Sequence, residues 1–546
     1  MDSARRRRHL GVALQELEAG MWKAVDAACV PLFSGGGAED PDASLLVGLA
    51  AAARGETIRA AAILNKVASQ RPKHAHPATD LVALAPQLTR DQIAAQFRAC
   101  FALTPKDTRL HEAFTDFLLG GGEARDAHDV VQHWLEQEPR SAVAHNAAGT
   151  TLAELGDVEG AIRHFEQTVA LAPNDAASWS NLGMMLKTAG HFDSALMAYN
   201  RAIAHSPYDP QIRVNRAVAL LKAGHWAEAW PDYEWRLRLP GHLPLPLDRL
   251  LPSISEKPDL AGITVLVTHE DGFGDTLHFM RYLPLLARHG ARVLVWVPPE
   301  LERVVCMVPG VTAVLTGDLP PPAYDYHCPF VSLPRVFATT LETIPREAYL
   351  QTDQVMAAGW ARHFPADVLR VGLVWAGQAR PWAPGFITLD RRRSIALAEF
   401  APLAGIRGVR FVSLQKGPAA EQAYLPPPSM ELYDPMEHVV DFAETAAIIS
   451  NLDLVVSVDT SVVHLAGAMG KPVFLLDRYD NCWRWLSTRA DSPWYPQMTI
   501  FRQSRIGDWS EPMERAAAAL GAMAAFRAGA ARTVHPRPAP QCADAA

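Results

Sequence analysis

Cysteine is scarce in this sequence, with six residues scattered along 546 positions and no Cys-x-x-Cys pair among them. This spacing indicates neither a disulfide framework nor a zinc site. We therefore expect reduced thiols, a cytoplasmic location and no bound metal.

Long apolar runs and an excess of basic charge are also missing. No run reaches the length that spans a bilayer, and the basic stretch Arg5–Arg8 is not followed by the apolar segment of a secretory signal. A formal net charge of −8 provides no bulk attraction for nucleic acid. The remaining composition, 49% apolar and 20% charged, is typical of a globular protein, and the length indicates three or more domains.

A repeat with a period of 34 residues occupies the first part of the chain. The pattern predicts one or two opening helices in residues 1–40 and then paired helices over 41–239, and it resembles the tetratricopeptide repeat. Such an array presents a concave face to a protein or peptide, although a purely structural spacer would have the same period. The period is carried by Pro105, Pro139, Pro173 and Pro207, by Gly149, Leu152, Ala161 and Phe165, by Trp179, Leu182, Gly183, Leu186, Ala195, Tyr199 and Ala202, and by Ala217, Leu220, Ala229 and Tyr233.

A proline-rich linker at 240–261 separates the array from the first of two α/β regions, residues 262–355. Short apolar runs in this region predict a parallel sheet, with a helix over Leu277–His289 after the first strand. The strands are expected at Ile263–Thr268, Val293–Val297, Val311–Leu315 and Tyr324–Val331.

A glycine loop joins the first strand to that helix. Gly272 and Gly274 allow the backbone to approach a ligand closely. Asp275 stands at the helix start, where its carboxylate suits either a general base towards an acceptor hydroxyl or a charge that stabilises the helix N-terminus. The spacing lacks the third glycine of a dinucleotide fingerprint.

The second α/β region, residues 366–527, begins with an apolar strand over Val371–Trp375 and a turn containing Gly377. Three consecutive arginines, Arg391 to Arg393, follow in the next loop. They suit a bidentate phosphate clamp, and a solvated basic loop would explain them equally well.

Further elements of this region follow from the same patterns. A strand over Phe411–Leu414 ends in the polar pair Gln415 and Lys416, and a helix is expected to begin near Asp441 and run to Ile449. A last strand is expected at 498–503 and a last helix at 511–527. Residues 528–546 are small, polar and proline-bearing, which predicts a disordered tail.

The stretch from Asp453 to Leu476 predicts a strand, a capped helix and a second strand. The valine-rich run Leu454–Val458 is followed by Asp459, Thr460 and Ser461, a typical N-cap cluster. Backbone N–H groups at this helix start suit a phosphate, and His464, four residues after Thr460, is expected to face the same ligand. A plain structural unit with a satisfied cap is the alternative.

Four polar clusters thus follow four predicted strands, at 270–275, 377–393, 415–417 and 459–464. Because ligands of open α/β sheets bind at the carboxyl ends of the strands, we expect these clusters to line a cleft for a phosphorylated ligand.

The motifs in combination are similar to those of bacterial heptosyltransferases. The residues Gly274-Asp275-Thr-Leu-His278 are similar to the first glycine loop of that family, and Asp459-Thr460-x-x-x-His464 to its nucleotide loop. Other stretches resemble bacterial proteins that fuse tetratricopeptide repeats to such a region, and protein O-linked sugar transferases have a parallel architecture. These stretches are Val371–Gly377, Arg393–Ile395, Phe411–Lys416 and Ser492–Pro496.

The resemblance covers roughly residues 41–527 and implies a GT-B fold, in which an acceptor-side domain (262–355) and a nucleotide-sugar domain (366–527) are both Rossmann-like. It implies no metal and no cofactor beyond the nucleotide-sugar co-substrate. By position Asp275 would be the base. The donor would be bound by Gly272, Gly274, Trp375, Gly377, Arg391, Arg393, Gln415, Lys416, Asp459, Thr460, Ser461 and His464. The chain departs from the family in one respect, because it offers arginines where heptosyltransferases place a lysine after the strand at 371–375.

We interpret the chain as a glycosyltransferase that moves a sugar from a nucleotide-sugar onto a protein selected by the repeats, with flagellin as a candidate acceptor. Two alternatives remain at this stage. One is a non-catalytic scaffold in which the GT-B part only senses a nucleotide, and the other is a transferase acting on a lipid or polysaccharide.

Overall fold

The computed structural model describes residues 3–33, 41–54, 108–241, 245–317, 320–378 and 390–534, together with single positions between 56 and 97. Contacts within the chain divide it into two compact units, residues 1–185 and 186–546. Most of residues 55–107 in the predicted repeat array, including Pro105, lie outside the described residues, as does the tail beyond Val534. No helix in the described ranges is long and apolar enough to cross a membrane.

The first unit consists of paired helices, as the 34-residue period predicts. Asp157 begins one of them by accepting a hydrogen bond from the Gly160 N–H at 2.8 Å, an ordinary N-cap. The ring of Phe165 lies so close to Gly149 that a Cβ there would be 2.7 Å from it, which explains the small residue at this offset. The helices are α1 (Ser3–Glu18), α2 (Trp22–Phe33), α3 (Pro41–Ala53), α4 (Thr108–Gly120), α5 (Ala124–Gln137), α6 (Ala142–Leu155) and α7 (Val158–Leu171).

The turns of the repeats are built from two recurring features. Between the helices of a pair, Gly122, Gly156, Gly190 and Gly224 have φ angles of 81° to 90°, which favour glycine. After each pair, a proline carbonyl accepts a hydrogen bond from the side chain six residues later. These bonds are His145 Nε2 to Pro139 O at 3.1 Å, Trp179 Nε1 to Pro173 O at 2.8 Å and Arg213 Nε to Pro207 O at 2.9 Å.

The division between the units falls inside helix α8 (Ala176–Thr188). The second unit therefore begins with three helices of the repeat pattern, α9 (Phe192–His205), α10 (Pro210–Ala223) and α11 (Trp226–Tyr233), before the α/β regions.

Helices α10 and α11 share one core with both sheets. Trp226 stacks on Trp494 with ring centroids 5.2 Å apart, and Trp230 donates its indole N–H to the Thr339 carbonyl at 2.8 Å. Buried Arg236, just after α11, contacts Glu270 at 2.5 Å. The limits predicted for the domains stay predictions, but this packing argues against a clean separation of the array after Leu239.

The first sheet is parallel with strand order β3-β2-β1-β4. Valine and leucine fill β1 and β2 because both faces of the sheet are covered. Its elements are β1 (Thr264–Thr268), α12 (Phe273–Phe279), α13 (Leu283–Arg288), β2 (Arg292–Trp296), α14 (Pro299–Cys306), β3 (Val311–Leu315), β4 (Tyr326–Pro329) and α15 (Leu333–Val336).

The second sheet is also parallel, with strand order β10-β9-β8-β5-β6-β7. The elements from α16 onward are α16 (Gln354–Ala361), β5 (Leu369–Val374), α17 (Ala401–Ala404), β6 (Val409–Ser413), β7 (Leu432–Tyr433), α18 (Phe442–Ser450), β8 (Leu454–Val458), α19 (Ser461–Ala468), β9 (Val473–Asp477), β10 (Met498–Arg502) and α20 (Ser510–Val534). The predicted parallel α/β fold and each predicted strand are confirmed, with ends shifted by up to two residues.

Two expectations about helices were wrong. The helix predicted over Leu277–His289 is broken by a 3₁₀ turn at Met280–Tyr282, because Pro284 has no N–H for a continuous α-helix. The last helix continues past its predicted end at Arg527 to Val534, so the tail predicted from Ala528 begins as helix. Alanines dominate this stretch and favour a helix over a disordered segment.

Candidate functional site

Strand order identifies where a ligand of each sheet would bind. All strands are parallel, but the direction in which successive strands are added to the sheet reverses between β1 and β4 in the first sheet and between β5 and β8 in the second. Open α/β sheets bind ligands outside the carboxyl ends of the strands at such a reversal. The loops that follow β1, β5 and β8 carry Asp275, Gly377 and Thr460, so three of the predicted clusters lie at these two edges.

The loop between β8 and α19 leaves its polar groups partly accessible. Asp459, Thr460 and Ser461 are all half-buried. Thr460 is the N-cap of α19, but its hydroxyl bonds to the Ser457 hydroxyl at 3.1 Å and does not cap the helix. The first N–H groups of α19 are therefore available to an oxyanion, as the sequence predicts for this loop.

His464 is much less accessible than the sequence suggested. It is 6% exposed, its ring stacks on Trp485, and its Nδ1 lies 3.0 Å from the Tyr495 hydroxyl. Burial, reinforced by the charges of Arg484 and Arg281, lowers the pKa of His464 well below its usual range. A neutral imidazole cannot offer a positive charge to a phosphate, so the predicted donor contact is restricted to Nε2.

The same tyrosine joins the two halves of the unit. Tyr495 OH also lies 2.9 Å from Nδ1 of His278, on α12 of the first half. Because one hydroxyl donates once, one ring must accept from Tyr495 while the other donates to it. Burial lowers the pKa of His278 well below its usual range as well, and the pair therefore stays uncharged.

Asp275 is engaged from two sides. Its carboxylate accepts a hydrogen bond from the Gly272 N–H at 3.2 Å, which caps α12, and it forms an ion pair with Arg484 from the second half. Asp275 is still partly exposed, with 25% of its side-chain surface accessible. Both interpretations of the sequence thus have a structural counterpart: the carboxylate caps a helix and also lies where the two halves meet.

The structure gives a different reason for a glycine at position 274 from the one that the sequence suggested. A Cβ at this position would lie 3.0 Å from the His464 ring and 3.4 Å from Cα of Ser461. The glycine therefore permits α12 and α19 to approach each other, which brings the carboxyl edges of the two sheets together. Sequence reasoning had assigned this glycine to the approach of a ligand.

Asp271, between Glu270 and Gly272, was missed by the sequence analysis. It is exposed and has a φ of 62°, an unusual value for a residue other than glycine. Partial desolvation and the neighbouring carboxylates of Asp275 and Glu270 raise the pKa of Asp271. A protonatable carboxyl in a strained loop is a feature of functional sites, but in the sequence it looks like one more acidic residue.

The three arginines lie in the helical segment 390–393 beside the reversal point of the second sheet, and residues 379–389 of the predicted loop lie outside the described part of the chain. Arg393 contacts Asp390 at 2.9 Å and donates to the Asp459 carbonyl at 3.2 Å. A Cβ at Gly377 would lie within 2.5 Å of Asp390 and Arg393, so the glycine makes room for this pair. Arg391 is exposed.

Two predicted donor contacts prove to be structural. Gln415 accepts hydrogen bonds from the N–H groups of Trp375 and Ala376 and donates to the carbonyls of Ala376 and Lys416, at 2.8 to 3.0 Å. Its amide has no capacity left for a ligand. Trp375 is fully buried and donates its indole N–H to the Ala419 carbonyl at 3.1 Å. Both side chains brace the ends of β5 and β6, contrary to the predicted roles. Lys416 is exposed, although its ammonium contacts the Val439 carbonyl.

Arg484 is the other residue that the sequence analysis missed. It is 7% exposed and lies 4.8 Å above the Trp483 ring and 5.2 Å from that of Phe279. Aromatic side chains of both halves thus position its guanidinium, which forms the ion pair with Asp275. A partner 209 residues away leaves no local signal in the sequence.

Comparisons with known proteins find similarities in both parts of the chain. Residues 118–176, 146–210 and 180–234 match the model of the tetratricopeptide repeat, and residues 439–508 match that of glycosyltransferase family 9 (heptosyltransferase). The matched glycosyltransferase segment contains β8, the 459–464 loop and Arg484.

The chain is also similar to individual proteins. Protein FlbA of Caulobacter vibrioides is 27% identical over 499 residues, which are 83% of this chain and 80% of the relative. The ADP-heptose LPS heptosyltransferase II of E. coli is 13% identical, with 49% of this chain and 100% of that chain covered and a TM-score of 0.36. A glycosyltransferase of family 9 from Veillonella parvula is 11% identical, with 45% and 87% covered and a TM-score of 0.35.

Proposed function

We propose that this tetratricopeptide-repeat glycosyltransferase transfers a sugar from a nucleotide-sugar donor to a protein. The observation that carries the proposal is the coincidence of two results. The segment that matches the glycosyltransferase model contains the 459–464 loop, and that loop lies at the reversal point of the second sheet, where α/β proteins bind nucleotides.

The donor phosphates are proposed to lie against the N-terminus of α19. The uncapped N–H groups there and the half-buried hydroxyls of Thr460 and Ser461 offer hydrogen bonds to an oxyanion. Arg391 and Lys416, both exposed, are the proposed counter-charges for the departing nucleotide. Fixed cations of this kind stabilise a leaving phosphate without a metal.

Asp275 is the proposed general base towards the acceptor hydroxyl. Its carboxylate lies beside the guanidinium of Arg484, with which it forms an ion pair. The Gly272 N–H fixes one carboxylate oxygen, so the base is oriented from the helix start. A base must reach the hydroxyl it deprotonates at about 2.6–3.2 Å, and the partial exposure of Asp275 permits that approach.

The acceptor is proposed to be a protein held by the repeats, and flagellin is the first acceptor to test. Tetratricopeptide arrays commonly use their concave surface to bind a peptide or protein. Cytoplasmic transfer is part of the proposal, since the described cysteines are free thiols.

One observation favours the non-catalytic alternative. The Asp275 carboxylate is already bound on both sides, as expected of a purely structural helix cap and interdomain ion pair. A measurement of transfer by the Asp275→Asn variant distinguishes a catalytic base from a structural cap, because the amide keeps the shape of the side chain but cannot accept the proton.

We expect Asp275→Asn to reduce transfer about 10²- to 10⁴-fold, the usual contribution of a general base, with nucleotide affinity nearly unchanged. The assay follows transfer to purified flagellin by intact-protein mass. Asp353→Asn is the matched control, because Asp353 also caps a helix and accepts hydrogen bonds from Val355 N and Met356 N. Wild-type turnover in the Asp275 variant would remove this residue from catalysis. Absence of transfer by the wild-type chain to any protein tested, with nucleotide bound, would favour the sensor.

A further inference from the structure

Two lysines of the repeat helices, one buried and one partly buried, lie near the residues that follow strand β9 of the second sheet. Lys222, near the end of α10, is 6% exposed, and Lys187, near the end of α8, is partly buried. Helix α10 packs against the turn Trp483–Trp485, which places Lys222 near the residues that follow β9. Neither ammonium group donates a hydrogen bond to any residue that the structure describes, which is unusual for buried lysine.

A third cation faces the same place. Arg478 follows β9, is 8% exposed, and its Nη1 is buried without a hydrogen-bond partner in the described part of the chain. Its Nε lies 3.2 Å from Asp480, which also contacts Arg392 at 3.1 Å. The nearby Asp477 is paired with Arg502 at 2.8 Å. Cationic side chains therefore outnumber the carboxylates available to them.

The electrostatics of the cluster agree with this geometry. Burial, followed by the charge of Lys187, lowers the pKa of Lys222 to about 7, although Asp480 opposes the shift. Burial also lowers the pKa of Lys187 to about 8, with Asp480 raising it and Arg478 lowering it. Burial acts to raise the pKa of Asp480, but Arg478 and Arg392 outweigh it and the pKa falls. A buried cation without an anion destabilises the fold, so these lysines are better explained by a ligand than by stability.

The position of the cluster indicates which ligand it would meet. Strand β9 is the neighbour of β8, so the loop with Arg478 lies beside the 459–464 loop. Two consecutive arginines connect them, because Arg393 bonds to the Asp459 carbonyl and Arg392 to Asp480. The cluster is thus continuous with the proposed donor site.

We propose that Lys187, Lys222 and Arg478 form an oxyanion site that binds an anionic group of the nucleotide-sugar donor. This inference rests on the proposed function and deepens it, because the last repeat helices then bind the donor as well as presenting the acceptor. The oxyanion is either a phosphate of the nucleotide or an acidic group on the sugar, and both would accept charge-assisted hydrogen bonds from the three cations.

The site should respond to pH in a defined direction. An oxyanion stabilises the protonated lysines, so its binding raises their pKa and takes up protons near pH 7–8. The groups involved are Lys187, Lys222, Asp480, Asp477, Arg392, Arg478 and Arg502, of which the two lysines titrate in this range. Affinity should therefore fall as the pH rises from 6.5 to 9.5, because neutral lysines cannot pair with the anion.

The first test is calorimetric titration of the full chain with inorganic phosphate for affinity, and with sulfate, which stays a dianion between pH 6.5 and 9.5, for proton uptake in two buffers of different ionisation enthalpy at pH 7. We expect saturable binding with proton uptake, weakened about tenfold or more in Lys222→Met and in Lys187→Met, as for a lost hydrogen bond to a charged group. Lys23→Met, which removes an exposed lysine, should bind like the wild type. Thermal unfolding verifies that each variant is folded, and Lys222→Arg, which keeps the charge, should retain binding.

The second test identifies the source of the oxyanion. If the nucleotide supplies it, nucleoside diphosphates compete with phosphate and lose affinity in the same two variants. If the sugar supplies it, nucleoside diphosphates bind all variants alike while phosphate binding still depends on the lysines. Phosphate affinity and proton uptake that are unchanged in both lysine variants, or no saturable binding of phosphate by the wild type, would overturn the site.

The outcomes for the donor itself are separate. Phosphate binding that depends on the lysines, in a chain that binds no nucleotide, would remove the proposed function and leave the anion site. Competition by an acidic peptide of flagellin, with none by nucleotides or acidic sugars, would assign the cluster to the acceptor and overturn the inference.

Discussion

The repeat formed by α6 and α7 and the repeat formed by α10 and α11 follow the same sequence pattern but serve different parts of the molecule. In the first, Phe165 packs on Gly149, and α6 contacts α7 and the preceding repeat helices α4 and α5. In the second, Trp226 and Trp230 enter the core of the α/β regions. Two periods separate Val158 from Trp226 and Ile162 from Trp230, so aliphatic side chains at these offsets are replaced by tryptophans.

This difference shows how a modular repeat becomes part of an enzyme. Repeats normally contact only their neighbours, so each can be gained or lost without harm to the rest. Large aromatic side chains at these two offsets convert such a unit into a core element, because each buries about 150–250 Å². The 34-residue period alone cannot reveal the conversion, since the repeat signature is intact on both sides of it.

Deletion of residues 1–238 should have the largest effect of the changes that test this difference between the two repeats. It removes Trp226, Trp230 and Tyr233 from a core that they share with both sheets, so we expect no folded protein. Deletion of residues 1–173, which retains α8 to α11, should leave a folded chain that binds nucleotide but no longer modifies its protein acceptor.

Thermal unfolding and nucleotide titration of the two truncated chains provide the comparison. A folded, nucleotide-binding 239–546 chain would mean that the α/β core does not need the tryptophans in order to fold. Full transfer to the protein acceptor by the 174–546 chain would mean that the deleted repeats do not select it.

The next largest effect is expected from two aromatic truncations. Trp226→Ala should destabilise the α/β regions by about 3–5 kcal/mol, the usual cost of removing a buried aromatic ring. Phe165→Ala should cost a similar amount, but only within its own repeat. Hydrogen exchange measured by mass spectrometry distinguishes the two, because Trp226→Ala should accelerate exchange in β1 and β8, whereas Phe165→Ala should leave these strands unchanged. Equal effects of both variants on β1 and β8 would contradict the difference between the repeats.

Most of the fold could be predicted because its signals are local. The strands follow from short valine-rich runs, and the repeat helices follow from the 34-residue period. The positive-φ glycines at 122, 156, 190 and 224 have the same period and were overlooked, although they were visible in the sequence. The break in the 277–289 helix was also visible, since Pro284 interrupts it.

The site was harder to predict because its contacts join distant segments. The loops were placed correctly at the strand ends, yet Gln415 and Trp375 turned inward to brace the sheet, and no pattern states which way a side chain turns at such an edge. The pairing of Asp275 with Arg484 and of His464 with Tyr495 depends on how the two halves meet. The roles assigned to the remaining residues stay predictions until the variants are measured.

The smallest expected effect concerns the side-chain hydrogen bonds to the proline carbonyls at the ends of the repeats. Trp179→Phe removes only the indole donor to Pro173, so it should cost about 0.5–1.5 kcal/mol in thermal unfolding. Arg213→Met should cost more, because Arg213 also contacts the buried carboxylate of Asp232 at 3.1 Å. Equal losses in the two variants would show that the last repeat gains nothing from its additional ion pair.

The stacking of Trp226 on Trp494 has a consequence for how such chains recombine. A genetic crossover upstream of α8 would exchange one set of repeats for another and leave whole the core that α10 and α11 share with the two sheets. A crossover between α11 and β1 would separate a tryptophan from its partner and deliver two incomplete halves. The final repeat and the α/β regions therefore form one unit in recombination. The boundary at which different repeats can be joined to them lies upstream of α8, earlier in the gene than the proline-rich linker suggests.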